Sequence, residues 1–234
     1  MLFVSLILIG VAIVLLVFYL REKIKAYTLK EVFLKAIISL LFVSVGVYNY
    51  IVNKENHYLK IFIIIGLIFG LSGDVFLDLK YVYRDKENLF TYLGFVVFAL
   101  GHICFIIAMI STVSFSVPAL YIIIPILISM IIGAGILVLA KPLKLDFKDK
   151  KVIVLLYSLC LFNTPLIAIS LSIYLGFASN FLIMMAIGGV LFAASDLILS
   201  QTYFGEGHEK PIDFILNYLT YYSAQFVIAM SLFI

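Results

Sequence analysis

Two aspartates stand inside stretches that otherwise read as membrane helices: Asp74 in the apolar run 66–77 and Asp196 in the similar run 188–199. A carboxylate at the centre of an apolar helix costs at least about 2.5 kcal/mol to insert, so each belongs in a bundle interior rather than against lipid. Carboxylates that share a low-dielectric site do not both ionise readily near neutrality; one keeps a proton while the other stays a base. That combination suits acid-assisted addition of water to an electron-rich ether or acetal carbon through an oxocarbenium-like state. It suits proton carriage equally well, and the structural alternative is that each aspartate only bonds a Ser, Tyr or Lys and fixes helix packing.

Few other polar residues lie in the apolar runs. Lys35 opens the second one and either snorkels, pairs with an aspartate or meets an anionic head group. His102 and Gln225 fall near the middle of the fourth and eighth. Tyr218, Tyr221 and Tyr222 share a helical face with Gln225, at seven, four and three residues before it. Tyr157 and Asn163 add polar atoms to the sixth run, just before Pro165, and Ser195 precedes the second aspartate. Asp78, one turn beyond Asp74, is expected at the water boundary, where solvation is cheap. The small residues Gly70, Gly189 and Ala193 flank the aspartates and permit close helix contact. His57, His102 and His208 sit at different depths, so no metal site is expected, nor any organic cofactor. Serine-hydrolase, zinc-protease and P-loop motifs do not occur.

The elements that must position these residues follow from composition. The 234 residues are 65% hydrophobic and 12% charged, with mean hydropathy +1.23, against about 25% charged in soluble domains. The fold class is all-α: a polytopic membrane helix bundle forming one integral membrane domain over 1–234. Eight spans are expected at about 1–20, 35–52, 59–79, 90–110, 118–140, 152–174, 180–203 and 212–234. The first reads as a retained helix rather than a signal peptide, having no basic segment before it and no cleavage site after it. Pro125 is expected to kink the fifth span without ending it. Cys104 and Cys160 read as small packing residues.

Loops one, three, five and seven carry thirteen Lys and Arg, and the opposite side only Lys54 and Lys60. The positive-inside rule then places these loops in the cytoplasm and both termini outside, in a multi-pass cell-membrane protein. With no Trp in the chain, Tyr19, Tyr27, Tyr81, Tyr83 and Tyr174 are expected to form the belts at the membrane surface. A net charge of +3 gives no reason to expect nucleic acid. Shifting the chain by 122 residues lays Asp74 on Asp196, Lys35 on Tyr157, and His102 within one residue of Gln225. This suggests a tandem repeat of four spans, with halves of about 1–115 and 116–234 and an axis along the membrane normal.

At these residues the chain resembles the YhhN-like family, which includes the transmembrane lysoplasmalogenases. The resemblance rests on Lys35, on Gly73-Asp74 followed by Val-Phe-Leu, on Phe90 to Gly94 with Phe98 and His102, on Phe192 to Asp196, and on Thr220 to Gln225. It departs where the family pattern places proline after the lysine and this chain has Ala36. The resemblance implies hydrolysis of the vinyl ether bond of a lysoplasmalogen, a single-chain phospholipid of the bilayer, to a fatty aldehyde and a glycerophospho-head group. Asp196 would be the acid and Asp74 the base, with the head group near Lys35. A proton-coupled transporter using the same aspartates is the alternative. Oligomeric state is not readable.

Overall fold

Apolar stretches of this length have to satisfy their backbone polar groups internally once in lipid, which leaves helices as the only open structure. The computed structural model, which describes residues 2–23, 28–53, 55–113, 117–205 and 211–233, has eight. They are α1 (Leu2–Lys23), α2 (Leu29–Val52), α3 (His57–Val82), α4 (Glu87–Ile110), α5 (Leu120–Leu139), α6 (Lys151–Tyr174), α7 (Asn180–Phe204) and α8 (Pro211–Met230). Among the described residues there is no strand, only an isolated bridge between Leu145 and Gly205. Lys25, Tyr27, Lys54, His208 and Lys210, which entered the charge and belt expectations, lie outside the described residues.

Seven helices, α1 to α7, are long and apolar enough to cross a membrane. Helix α8 has 20 residues, enough for a crossing. It is less apolar because Asn217, Tyr218, Tyr221, Tyr222 and Gln225 form a polar face that is buried in the bundle. The protein is thus an integral membrane helix bundle. Pro125 and Pro165 sit inside α5 and α6 without ending them. Cys104 and Cys160 are free and half-buried.

Two helix boundaries differ from expectation in ways that matter for the site. Helix α2 begins six residues before Lys35 because Thr28 and Glu31 form a capping box, with the Thr28 backbone N–H donating to Glu31 Oε2 at 2.6 Å. Lys35 is therefore on the second turn, already inside the bundle, and continuous helix runs through Ala36. Helix α3 continues to Val82, which places Asp74 eight residues from its end, as Asp196 is from the end of α7. At a rise of ~1.5 Å per residue both carboxylates lie about 12 Å below that end of the bundle.

Except for α4 and α5, consecutive helices pack against each other, and two longer-range seams, α4 on α6 and α2 on α8, close the bundle. Helices α1 and α5 lie outside, mainly against α2 and α6. The 122-residue shift lays Leu29–Val52 on Lys151–Tyr174, and His57–Val82 on Asn180–Phe204 to within one residue at the start. It also relates the two long-range seams to each other. Gly70 lets α8 approach: a Cβ there would stand 2.6 Å from Gln225 Nε2. Gly189 does the same for α6, where a Cβ would stand 2.9 Å from the Pro165 nitrogen. Tyr19 is not a belt residue; it is fully buried beneath α8, because its hydroxyl finds partners inside.

Candidate active site

Lys35, Asp74, Tyr157, Ser195, Asp196 and Tyr221, brought from five helices, all line one cavity of about 90 Å³. Its remaining wall is mainly apolar and aromatic, with Leu77, Phe95, Phe98, Leu161 and Phe204 among the lining residues. The two aspartates reach this cavity in different company.

Asp74, 2% exposed, is surrounded by donors. Ser39 Oγ and Tyr221 OH donate to its Oδ2 at 2.6 and 2.7 Å. The Lys35 ammonium lies 3.2 Å from its Oδ1. Behind Tyr221, Gln225 Nε2 donates to the phenol oxygen at 3.0 Å, and Tyr222 OH lies 3.4 Å from Ser39 Oγ. These three contacts hold the carboxyl group in a fixed orientation.

Lys35 serves two aspartates. Its ammonium also donates to Asp78 Oδ1 at 3.1 Å, and Tyr19 OH donates to Asp78 Oδ2 at 3.0 Å. Asp78 is 1% exposed, which overturns its expected place at the water boundary. One helical turn carries it to the same interior face as Asp74, where Lys35 and Tyr19 satisfy it. Of the alternatives for Lys35, the structure shows pairing with aspartate, and with two of them.

Asp196 has a different setting. The Tyr157 hydroxyl donates to its Oδ2, and the residue is only partly buried, at the cavity wall. No cation stands beside it among the described ion pairs. Next to it, Ser195 is locked to α8: Asn217 Nδ2 donates to the Ser195 carbonyl at 2.8 Å and to its Oγ at 2.9 Å. That clamp ties the turn of α7 bearing Asp196 to the helix bearing Tyr221.

The other expected residues lie further out. His102 is buried, with Nδ1 2.9 Å from Thr164 Oγ1 and Nε2 without a partner, its ring against Phe192 and Tyr157. It supports the wall behind Tyr157 and does not line the cavity. Tyr222 and Gln225 stand behind Asp74. Asn163 is not brought to the site; it is half-buried and its Oδ1 has no partner. Six residues along a helix turn about 120° away from the face of Tyr157. Among the described residues no group of three His, Cys, Asp or Glu side chains could hold a metal ion.

Sequence reasoning missed Ser39, Tyr19 and Asn217, and placed Asp78 wrongly. Ser39 is one turn after Lys35 and Asn217 one turn before Tyr221, so helical spacing from residues already singled out marks both. Tyr19 carries no such signal.

No curated protein and no solved structure matches the chain. The family model of the YhhN family, by contrast, matches residues 30–232. This stretch contains the aspartates, Lys35, Tyr157 and the whole polar face of α8, and by it the chain belongs to the YhhN family.

Proposed function

We propose that the protein is a membrane hydrolase that cleaves the vinyl ether bond of a lysoplasmalogen, with Asp196 as acid and Asp74 as base. The observation that carries this reading is that both carboxylates border one cavity, Asp74 paired with a cation and two hydroxyls, Asp196 with a phenol alone. These settings favour one anion and one proton-bearing acid, the division that addition of water to an enol ether requires.

In this reading Asp196 delivers its proton to the outer carbon of the double bond, leaving an oxocarbenium ion at the carbon bonded to oxygen. Asp74 faces that positive charge and takes a proton from the water that attacks it, giving a hemiacetal. The hemiacetal hydroxyl then returns a proton to Asp196 while Asp74 gives its proton to the departing glycerol oxygen. One water is consumed, a fatty aldehyde and a glycerophospho-alcohol leave, and both carboxyl groups regain their starting states. Lys35, with Asp78 and Tyr19 behind it, keeps Asp74 charged and aimed; Tyr157 orients Asp196. The basic connections would face the cytoplasm, so substrate would come from that leaflet.

The test is aldehyde release by purified protein in detergent from a lysoplasmalogen and from its saturated 1-O-alkyl analogue. Product is expected from the first alone, and Asp74→Asn and Asp196→Asn should each lower kcat by about 10²–10⁴-fold without unfolding the protein. Solute uptake into proteoliposomes with no aldehyde would replace the hydrolase with the transporter reading.

A further inference from the structure

We infer that a single-chain lipid reaches the cavity sideways, through the gap between α5 and α7, with its hydrocarbon tail remaining outside along Ile136 and Leu197. This rests on the hydrolase reading for its choice of lipid, but the path itself is argued from geometry.

Size comes first. The cavity measures about 90 Å³, less than the roughly 150 Å³ that accommodates a single benzene. It can take the reacting end of a lipid and a water, but a chain of a dozen carbons has to lie elsewhere. The wall behind Asp74 is closed by the Lys35 cluster and by buried Tyr19. Toward the nearer end of the bundle Phe147 and Leu145, 2% and 8% exposed, pack beside Phe204. The Asp146 backbone N–H donates to the Phe204 carbonyl at 2.8 Å, pinning that connection across the end of α7.

The remaining side is different. Leu197 lines the cavity and is also 48% exposed on the outside of α7. Ile136 of α5 lines it too, half-buried, where it borders the Leu145–Phe147 cluster. Helix α5 packs along α6 and makes no extended contact with α7. Only Pro125, Ser129 and Gly133 of α5 are buried, and its outward residues are large and apolar. On this side the cavity that Asp196 lines is bordered by apolar side chains, and one of them, Leu197, reaches the outside of α7.

Comparison with the first half explains why the gap is there. Under the 122-residue shift Asp78 falls on Ser200. In the first half Tyr19 of α1 fills the corresponding space, 3.0 Å from both Asp78 and the Tyr218 hydroxyl. In the second half α5 stops at Leu139, two residues short of the matching position, Lys141, which is exposed. Ser200 is left at the cavity, where among the described residues its hydroxyl donates to the Leu197 carbonyl at 2.8 Å. The tyrosine that plugs the first half has no counterpart in α5. Above the opening, Lys141 and Lys144 are exposed in the connection leaving α5, where a phosphate head group would meet positive charge while the tail points into the bilayer. A single-chain phospholipid matches that sequence of charge, reacting centre and hydrocarbon.

The experiment uses a saturated 1-O-alkyl lysophosphatidylethanolamine with a diazirine midway along its chain, which binds without being hydrolysed. After irradiation of the intact protein in nanodiscs, adducts that unlabelled 1-O-alkyl lysolipid suppresses should map to residues 130–139 and 190–199. Suppressible adducts on α1 or α2, or adducts spread over all exposed helices and insensitive to competitor, overturn the inference. Independently, Leu197→Trp should lower the ratio of kcat/KM for long-chain over short-chain enol ether by at least tenfold; a ratio within twofold of the parent overturns it. Because the labelling needs no turnover, its failure is distinguishable from failure of the hydrolase reading, which the aldehyde assay reports alone.

Discussion

Replacing Lys35 by methionine, which keeps the stem and removes the charge, should destabilise the protein in a way that depends on pH. The ammonium lies 3.2 Å from Asp74 and 3.1 Å from Asp78, both nearly inaccessible to water. Removing one partner of a buried ion pair typically costs about 3–5 kcal/mol. The penalty has a ceiling, since an orphaned carboxylate can take up a proton. At pH 7, about three units above the ordinary aspartate value, that costs roughly 4 kcal/mol at ~1.4 kcal/mol per unit. At pH 5.5 the same escape costs only about 2 kcal/mol. Lys35→Met should thus lose about 3–4 kcal/mol at neutrality and about half of that at pH 5.5. With about 2–4 °C per kcal/mol for a chain of this size, Tm should fall on the order of 10 °C at pH 7. Since the chain has no Trp, unfolding in mild detergent is best followed through reaction of the free, half-buried Cys104 and Cys160 with a fluorogenic maleimide. The double variant Lys35→Met/Asp78→Asn should recover part of the loss by halving the orphaned charge. A Tm within 2 °C of the parent at pH 7, or a deficit that does not shrink on acidification, would refute the counter-ion argument.

Three further outcomes follow from contacts at the site. Tyr157→Phe removes the hydroxyl that donates to Asp196 and should lower kcat about 10- to 100-fold with KM within threefold, read by aldehyde release. Ser39→Ala deletes the 2.6 Å bond to Asp74 and should cost about 1.5–3 kcal/mol in thermal unfolding. Gly70→Ala puts a Cβ 2.6 Å from Gln225 Nε2 and should cost about 1–3 kcal/mol through overpacking; pairing it with Gln225→Ala should return most of that loss.

What could be read from the amino-acid order, and what could not, divides along contact range. The eight helices follow from apolar length, and the shared face of Tyr218, Tyr221, Tyr222 and Gln225 from 3.6-residue periodicity. The meeting of Asp74 and Asp196 at one cavity was suggested by their like surroundings. Asp78 was misjudged because its distance from the helix end says nothing about a lysine on another helix; Lys35 and Tyr19 join it from 43 and 59 residues away. Tyr19 looked like a belt residue for the same reason, its partners being on α3 and α8. Asn163 fails on a local ground, since its offset from Tyr157 already turns it to another face.

The buried polar face of α8 has a consequence for how the protein is made. Several of its polar groups are met by other helices: Tyr221 donates to Asp74 of α3 and Asn217 to Ser195 of α7, while Gln225 packs against Gly70 of α3 and donates to Tyr221. Facing lipid alone, those groups would be unsatisfied and expensive. Helix α8 is therefore poorly able to settle in the bilayer by itself, and its insertion is coupled to a groove that the other helices form. A fault in α2 or α3 should consequently show itself first as an α8 that fails to stay in the membrane.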